Sequence, residues 1–233
     1  MMRDAVVTIT DVTKTYFRGP EQVHAVVGAS LSLHAGEMVG LVGRSGSGKT
    51  TLLNLLAGWE QPDAGEIRWL HERDSSRKSP AWHELAIVPQ SLGLMEELTV
   101  RENVELPARL RHRLNPATCE RADQLLNAFG LIELADRMPD EVSIGEQQRA
   151  AVARALLLSP RIVLADEPTG HQDASWAKGV FRALQWAASS GTCCLVATHN
   201  QEVMKYFDRI GAMRDGRLED EVVVPVTNVG DPI

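Results

Sequence analysis

The run Gly43-Arg44-Ser45-Gly46-Ser47-Gly48-Lys49-Thr50 satisfies the spacing GxxxxGK[ST] at every fixed position. Glycines at those places let backbone N–H groups close around phosphate oxygens, Lys49 brings a positive charge to the β/γ end, and the Thr50 hydroxyl is suited to ligate Mg²⁺. Gly43, Ser45, Gly46, Gly48, Lys49, Thr50 and Thr51 are therefore the candidate contacts for a nucleoside triphosphate. A second cluster is Arg161-Ile162-Val163-Leu164-Ala165-Asp166-Glu167, an apolar strand that ends in two carboxylates. At the carboxyl end of a core strand such a pair faces a phosphate loop, with Asp166 placed to hold Mg²⁺ directly or through water and Glu167 to polarise the attacking water. Thr198-His199-Asn200 ends another apolar run in the same way, and a neutral imidazole at His199 could hydrogen-bond the terminal phosphate.

The elements that must position these groups can be read from periodicity. Met38 to Val42 reads as a buried strand and Thr51 to Ala57 as a helix stopped by Gly58, which would seat the anion on a helix N-terminus. Residues 5 to 43 alternate strand-like segments with turns at Arg18-Gly19-Pro20 and Ala35-Gly36, the pattern of a small antiparallel sheet. Helical patterns fill 99 to 158; strands at Ile162 to Ala165 and Cys193 to Ala197 follow, separated by a helix over Ser175 to Ala188, with a hairpin around Asp215-Gly216. Interleaved strands and helices predict an α/β core with a mostly parallel sheet, interrupted by a helical insertion.

Composition sets bounds on function. The 233 residues suit one large domain with an inserted subdomain, and 44% apolar with 24% charged residues is ordinary for a globular protein. A net charge of −7 argues against a broad nucleic-acid-binding surface, so no nucleic-acid partner is expected. No apolar run of spanning length is present, and Met1-Met2-Arg3-Asp4 leads directly into alternating Val6, Thr8 and Thr10 rather than a signal peptide, which predicts a cytoplasmic location. Cys119, Cys193 and Cys194 have no metal-ligand spacing; the last two read as small hydrophobes in a strand, and the tryptophans, among them Trp59, Trp69, Trp82 and Trp176, as packing.

Between the two clusters lies Val142-Ser143-Ile144-Gly145-Glu146-Gln147-Gln148-Arg149. Ser143 and Glu146 have capping-box spacing and would open a helix from Gln147 to Leu158, its first amides pointing outward. With Gln-Gln-Arg followed by Ala-Val-Ala-Arg-Ala-Leu, the segment resembles the signature helix of the ATP-binding cassette (ABC) family of transporter ATPases. That resemblance covers nearly the whole chain and implies a single ABC ATPase domain with a RecA-like P-loop core. The core lobe would span about 1–90 and 159–220, a helical subdomain about 91–158 and a C-terminal tail about 221–233. It implies ATP and Mg²⁺ as ligands, with Thr50, Gln90 and Asp166 around the metal, and Glu167, His199 and Gln90 in hydrolysis. Tyr16 would stack on adenine, Gln90 would link the terminal phosphate and Mg²⁺ to a membrane partner, and Asp173 would cross a dimer. Ser143, Gly145 and Glu146 would meet the phosphate held by the opposing subunit, so two copies clamp two ATP molecules. A separately encoded permease would hold the protein at the cytoplasmic face of the membrane, docking near Leu92 to Leu98.

Gln22 to Val26 and Leu94 to Pro107 resemble the lipoprotein-release, macrolide-export and cell-division ATPases within that family. Ile144 departs from the pattern, which has glycine there, and Gly65 to Gln90 is shorter than usual. A cassette acting on DNA or ribosomes would need a long coiled coil or a second cassette, and a P-loop kinase would leave the signature helix and His199 unexplained. A regulatory module that dimerises on ATP and signals without transport remains the alternative from a different class, sustained by Ile144.

Overall fold

A computed structural model describes residues 4–70, 81, 83–90, 93–170, 174–219 and 222–223. Two long strands, β1 (Ala5–Arg18) and β2 (Glu21–His34), form a hairpin through the Gly19-Pro20 turn, and β4 (Ala64–Trp69) joins it in the order β2-β1-β4, all antiparallel. The parallel sheet is built from β3 (Met38–Val42), β5 (Leu85–Val88), β6 (Ile162–Asp166), β7 (Cys193–Thr198) and β8 (Arg209–Arg214) in the order β8-β3-β7-β6-β5. Two short strands, β9 (Arg217–Leu218) and β10 (Val222–Val223), pair antiparallel with β8. The start of the expected free tail is thus held on the sheet edge at β10.

Side chains of the central strands alternate between two cores, as a period of two requires when both faces are covered. Ile162 and Leu164, Cys193, Leu195 and Ala197, and Val39 and Leu41 face the antiparallel sheet and the helix α1 (Lys49–Ala57). Val163 and Ala165, Cys194 and Val196, and Met38 face the other core, built from α2 (Val100–Leu110), α3 (Pro116–Ala128), α4 (Ile144–Leu156) and α5 (Ala174–Ser189). The Cys193-Cys194 pair is fully buried, and its two members look to opposite faces.

Helix starts follow their caps. Thr99, Asn115 and Ser143 close capping boxes on α2, α3 and α4. The capping box opens α4 at Ile144 rather than Gln147, and α4 ends at Leu156 rather than Leu158, before Ser159 turns left-handed with φ 48°. Trp69 is buried, but Trp59 is 63% exposed, and Trp176 and Trp186 lie partly exposed beneath the guanidinium groups of Arg149 and Arg121. Packing therefore accounts for Trp69 and not for Trp59; Trp82 lies outside the described residues.

Candidate nucleotide-binding site

The phosphate loop joins β3 to α1, and sterics as much as backbone freedom fix its glycines. A Cβ at Gly43 would lie 2.3 Å from the Met213 carbonyl oxygen and 2.6 Å from Ser47 Oγ; one at Gly48 would lie 2.0 Å from the Ala25 carbonyl oxygen. Gly46 has open space around it and a φ of +80°, so there conformation is the requirement. Gly48 precedes α1 with φ 103° and offers no side-chain cap, and no acidic residue occupies the first turn. The first amides of α1 are left for an anion, whereas Thr99, Asn115 and Ser143 each accept from the third amide of α2, α3 and α4.

Lys49 is 7% exposed and its Nζ donates to the loop carbonyls of Gly43 at 2.8 Å and Arg44 at 3.1 Å, which aims the ammonium into the loop. Ser47 Oγ is buried with no partner among the described residues, an orphan hydroxyl at the same place. The Thr50 hydroxyl donates to Asp166 Oδ2 at 2.6 Å, so strand β6 and helix α1 bring together the two oxygen ligands anticipated for a cation. Burial pushes the Asp166 carboxyl above the usual carboxylate range, offset in part by the Thr50 bond. Thr50, Asp166 and Gln90 border one cavity of about 480 Å³, together with Trp59. Among the described residues no three His, Cys, Asp or Glu side chains cluster for a metal, so a cation at Thr50 and Asp166 would complete its shell with substrate oxygens, as Mg²⁺ commonly does.

Glu167 follows Asp166 with φ +48°, a left-handed conformation rarely adopted outside glycine, asparagine and aspartate. Its N–H donates to the Ala197 carbonyl at 2.9 Å, and its own carbonyl accepts from Gly170 N at 3.1 Å and from Gln148 Nε2 at 2.9 Å. The carboxylate accepts from Thr198 Oγ1 at 3.2 Å and lies 2.7 Å from His199 Nδ1. A carboxylate only accepts, so Nδ1 carries the ring proton in this contact; a neutral His199 then has no N–H at Nε2. The same neutral ring cannot donate to Glu167 and to a phosphate together, so an imidazolium or the other tautomer is required for the role anticipated at His199.

Tyr16 donates its hydroxyl to Glu60, and burial followed by that carboxylate raises the phenol above its ordinary range. Lys14 Nζ lies 5.8 Å from the Tyr16 ring centroid. Ser143 accepts from Glu146 N at 3.3 Å, while its own N–H and hydroxyl donate to Glu146 Oε2 at 2.7 and 2.8 Å. Ile144, the first helical residue, is 53% exposed, and Gly145 follows at the same helix end. Asp173 and Leu92 lie outside the described residues. Leu94 packs against the helical core, which leaves Met95, 46% exposed, as the apolar residue of the described part of 92–98 that faces outward. The contacts of Gln148 and Thr198 with Glu167 have no signature in spacing, since they span 19 and 31 residues.

The ABC transporter family model matches residues 26–170. The lipoprotein-releasing system ATP-binding protein LolD of Maricaulis maris is 39% identical over 223 residues, covering 93% of this chain and 97% of its own. Its namesake from Pseudomonas fluorescens is 38% identical over 225 residues, covering 94% and 99%. Among solved structures, the dimeric post-hydrolysis state of the ATP-binding cassette MJ0796 bound to ADP and Pi superposes with a TM-score of 0.82 at 32% identity, covering 93% of this chain and 98% of that one. With the phosphate loop, the carboxylates at the end of β6 and the capped helix α4 in the arrangement described, the chain belongs to the ABC transporter family and is an ATP-binding, ATP-hydrolysing subunit of such a transporter.

Proposed function

We propose that this subunit binds ATP on the Gly43–Thr51 loop, closes head to tail with a second copy and hydrolyses ATP to drive a permease of the lipoprotein-releasing kind from the cytoplasmic face of the membrane. The observation that carries the reading is the convergence of Lys49, Thr50, Asp166 and Glu167 on one end of the parallel sheet, where α1 leaves its amides uncapped. A Mg²⁺ ion held by Thr50, Asp166 and Gln90 would neutralise charge on the phosphates. Glu167 accepts a proton from the attacking water as its oxygen bonds to the γ-phosphorus; the bond to the β-phosphate oxygen breaks, and ADP and phosphate leave. His199 in its imidazolium form donates to the terminal phosphate while keeping its bond to Glu167. Tyr16 stacks on the adenine ring, and Ser143, Gly145 and Glu146 with Asp173 meet the nucleotide of the opposing copy. The dimeric state of the MJ0796 cassette supports that pairing.

The permease would seat on the stretch 92–98 that follows Gln90, where Met95 faces outward. Among the described residues no helix is long and apolar enough to cross a membrane, so attachment falls to such a partner. A second reading, ATP-dependent dimerisation that signals without transport, is favoured by Ile144 alone. Substitution at the two ends of the mechanism tests the first. Glu167→Gln is expected to keep ATP affinity, lower turnover about 10²- to 10⁴-fold and accumulate an ATP-bound dimer on gel filtration, whereas Lys49→Ala loses ATP binding itself. Wild-type turnover in Glu167→Gln would remove the general base from the reading.

A further inference from the structure

The hydrogen bond from Gln148 to the Glu167 carbonyl connects two parts of the molecule that the mechanism uses separately. Gln148 belongs to α4, whose first turn carries Ser143 to Glu146, and its side chain is 2% exposed. Its Nε2 reaches the Glu167 carbonyl at 2.9 Å, while its Oε1 is buried without a partner among the described residues. A glutamine that satisfied only packing would be replaced there by an apolar side chain of equal size with no orphan acceptor left behind. What it does supply is a donor to a residue held in a strained conformation. Glu167 sits at φ +48°, and three bonds hold its backbone: its N–H to Ala197, and its carbonyl to Gly170 and to Gln148. Of these, the Gln148 bond alone comes from the helical region, and a left-handed residue persists only where its surroundings over-determine it.

We propose that Gln148 is a positioning residue for hydrolysis: it ties the backbone of Glu167 to α4, so that the carboxylate is aligned only while the helix bearing the signature end is seated. Engagement of that helix end by the opposing nucleotide is then transmitted in cis to the base of the same chain through a single amide. The inference rests on the reading of Glu167 as the general base. It does not depend on which molecule the permease moves.

The test uses the full-length protein with Gln148→Leu and Gln148→Met, which keep bulk and remove both the donor and the orphan acceptor. Expected are an ATP dissociation constant and KM within about twofold of wild type and a kcat lowered on the order of 10- to 10²-fold, as a misplacement near 1 Å produces. The thermal midpoint should not fall. In a Glu167→Gln background, single-turnover hydrolysis followed over hours should show no further loss from Gln148→Leu, because the group it aligns is already gone. Unchanged kcat, an equal loss in the Glu167→Gln background, or loss of turnover together with the thermal midpoint in both variants overturns the positioning role. If Glu167→Gln itself turns over normally, the general-base reading fails and takes this inference with it; an inactive Glu167→Gln beside a fully active Gln148→Leu rejects the positioning role alone.

Discussion

Ile144 is the residue at which chemistry and local structure pull in different directions. The Ser143–Glu146 capping box is complete, so the amides at the start of α4 keep their direction with isoleucine at the first helical position, where a negative φ suits it. The exposed β-branched side chain nonetheless stands where the family pattern carries only hydrogen, at a helix end proposed to meet the opposing phosphate loop. Ile144→Gly is therefore expected to raise the saturated hydrolysis rate several-fold with little change in nucleotide affinity, since a misplacement near 1 Å costs on the order of 10²-fold. Steady-state kinetics on the two purified proteins decide it; an equal or lower rate in the glycine variant means that the side chain is accommodated. At this scale the sequence was legible wherever a role depends on neighbours in the chain, as in the phosphate loop and the Ser143 cap. It was silent on the crowding of Gly48 by Ala25 and on the bonds from Gln148 and Thr198 to Glu167, because those partners are remote in sequence.

Elements differ in what holds them to the core. The segment from Met95 to Thr99 is clamped by Asn103, fully buried in α2, whose side chain accepts from Met95 N and donates to the carbonyls of Met95, Leu98 and Thr99. Asn103→Ala would leave those groups unpaired and open a small void, lowering unfolding free energy by about 2–4 kcal/mol in denaturant titration. The turn after α1 is fastened differently. Asp63 accepts from Thr15 N at 2.7 Å and from Lys14 Nζ at 3.3 Å, and these donors, the Thr15 amide foremost, hold its carboxyl below the usual range. A depressed folded pKa contributes stability that is present above the unfolded value near 3.9 and is lost as pH falls through the folded one. Melts of Asp63→Asn should thus fall below wild type at neutral pH, with the gap closing in acid as wild type loses the same increment. Unbroken apolar runs made β3, β6 and β7 legible to within a residue, and the Ser143 capping box placed the start of α4 to within three residues. The end of α4 was not, because Leu157 and Leu158 continue the apolar pattern after the helix stops at Leu156.

For the whole molecule, the strand order β8-β3-β7-β6-β5 assembles three strand ends from distant stretches of chain, and no local pattern announces that order. The class of fold was still legible, since strands alternating with helices require crossovers to a parallel sheet. Among the described residues the surface proposed to receive a membrane partner is narrower than the apolar run suggested: Leu94 packs against the core, and Met95 faces out on a segment that Asn103 fixes in place. Met95→Asp is expected to abolish recruitment to membranes containing the permease while ATP binding and the thermal midpoint stay at wild-type values, as measured by co-sedimentation, nucleotide titration and melts. Undiminished co-sedimentation would place the docking surface elsewhere.

The phosphate loop is wedged between the two sheets: Gly48 against Ala25 of β2, Gly43 against Met213 of β8, and the Ser47 carbonyl bonded by the Gly216 N–H while the Gly216 carbonyl accepts from Val27 N. Its shape is therefore inherited from the architecture on either side. ATP enters a mould already set instead of gathering a slack loop about itself, so little ordering entropy is subtracted from its affinity.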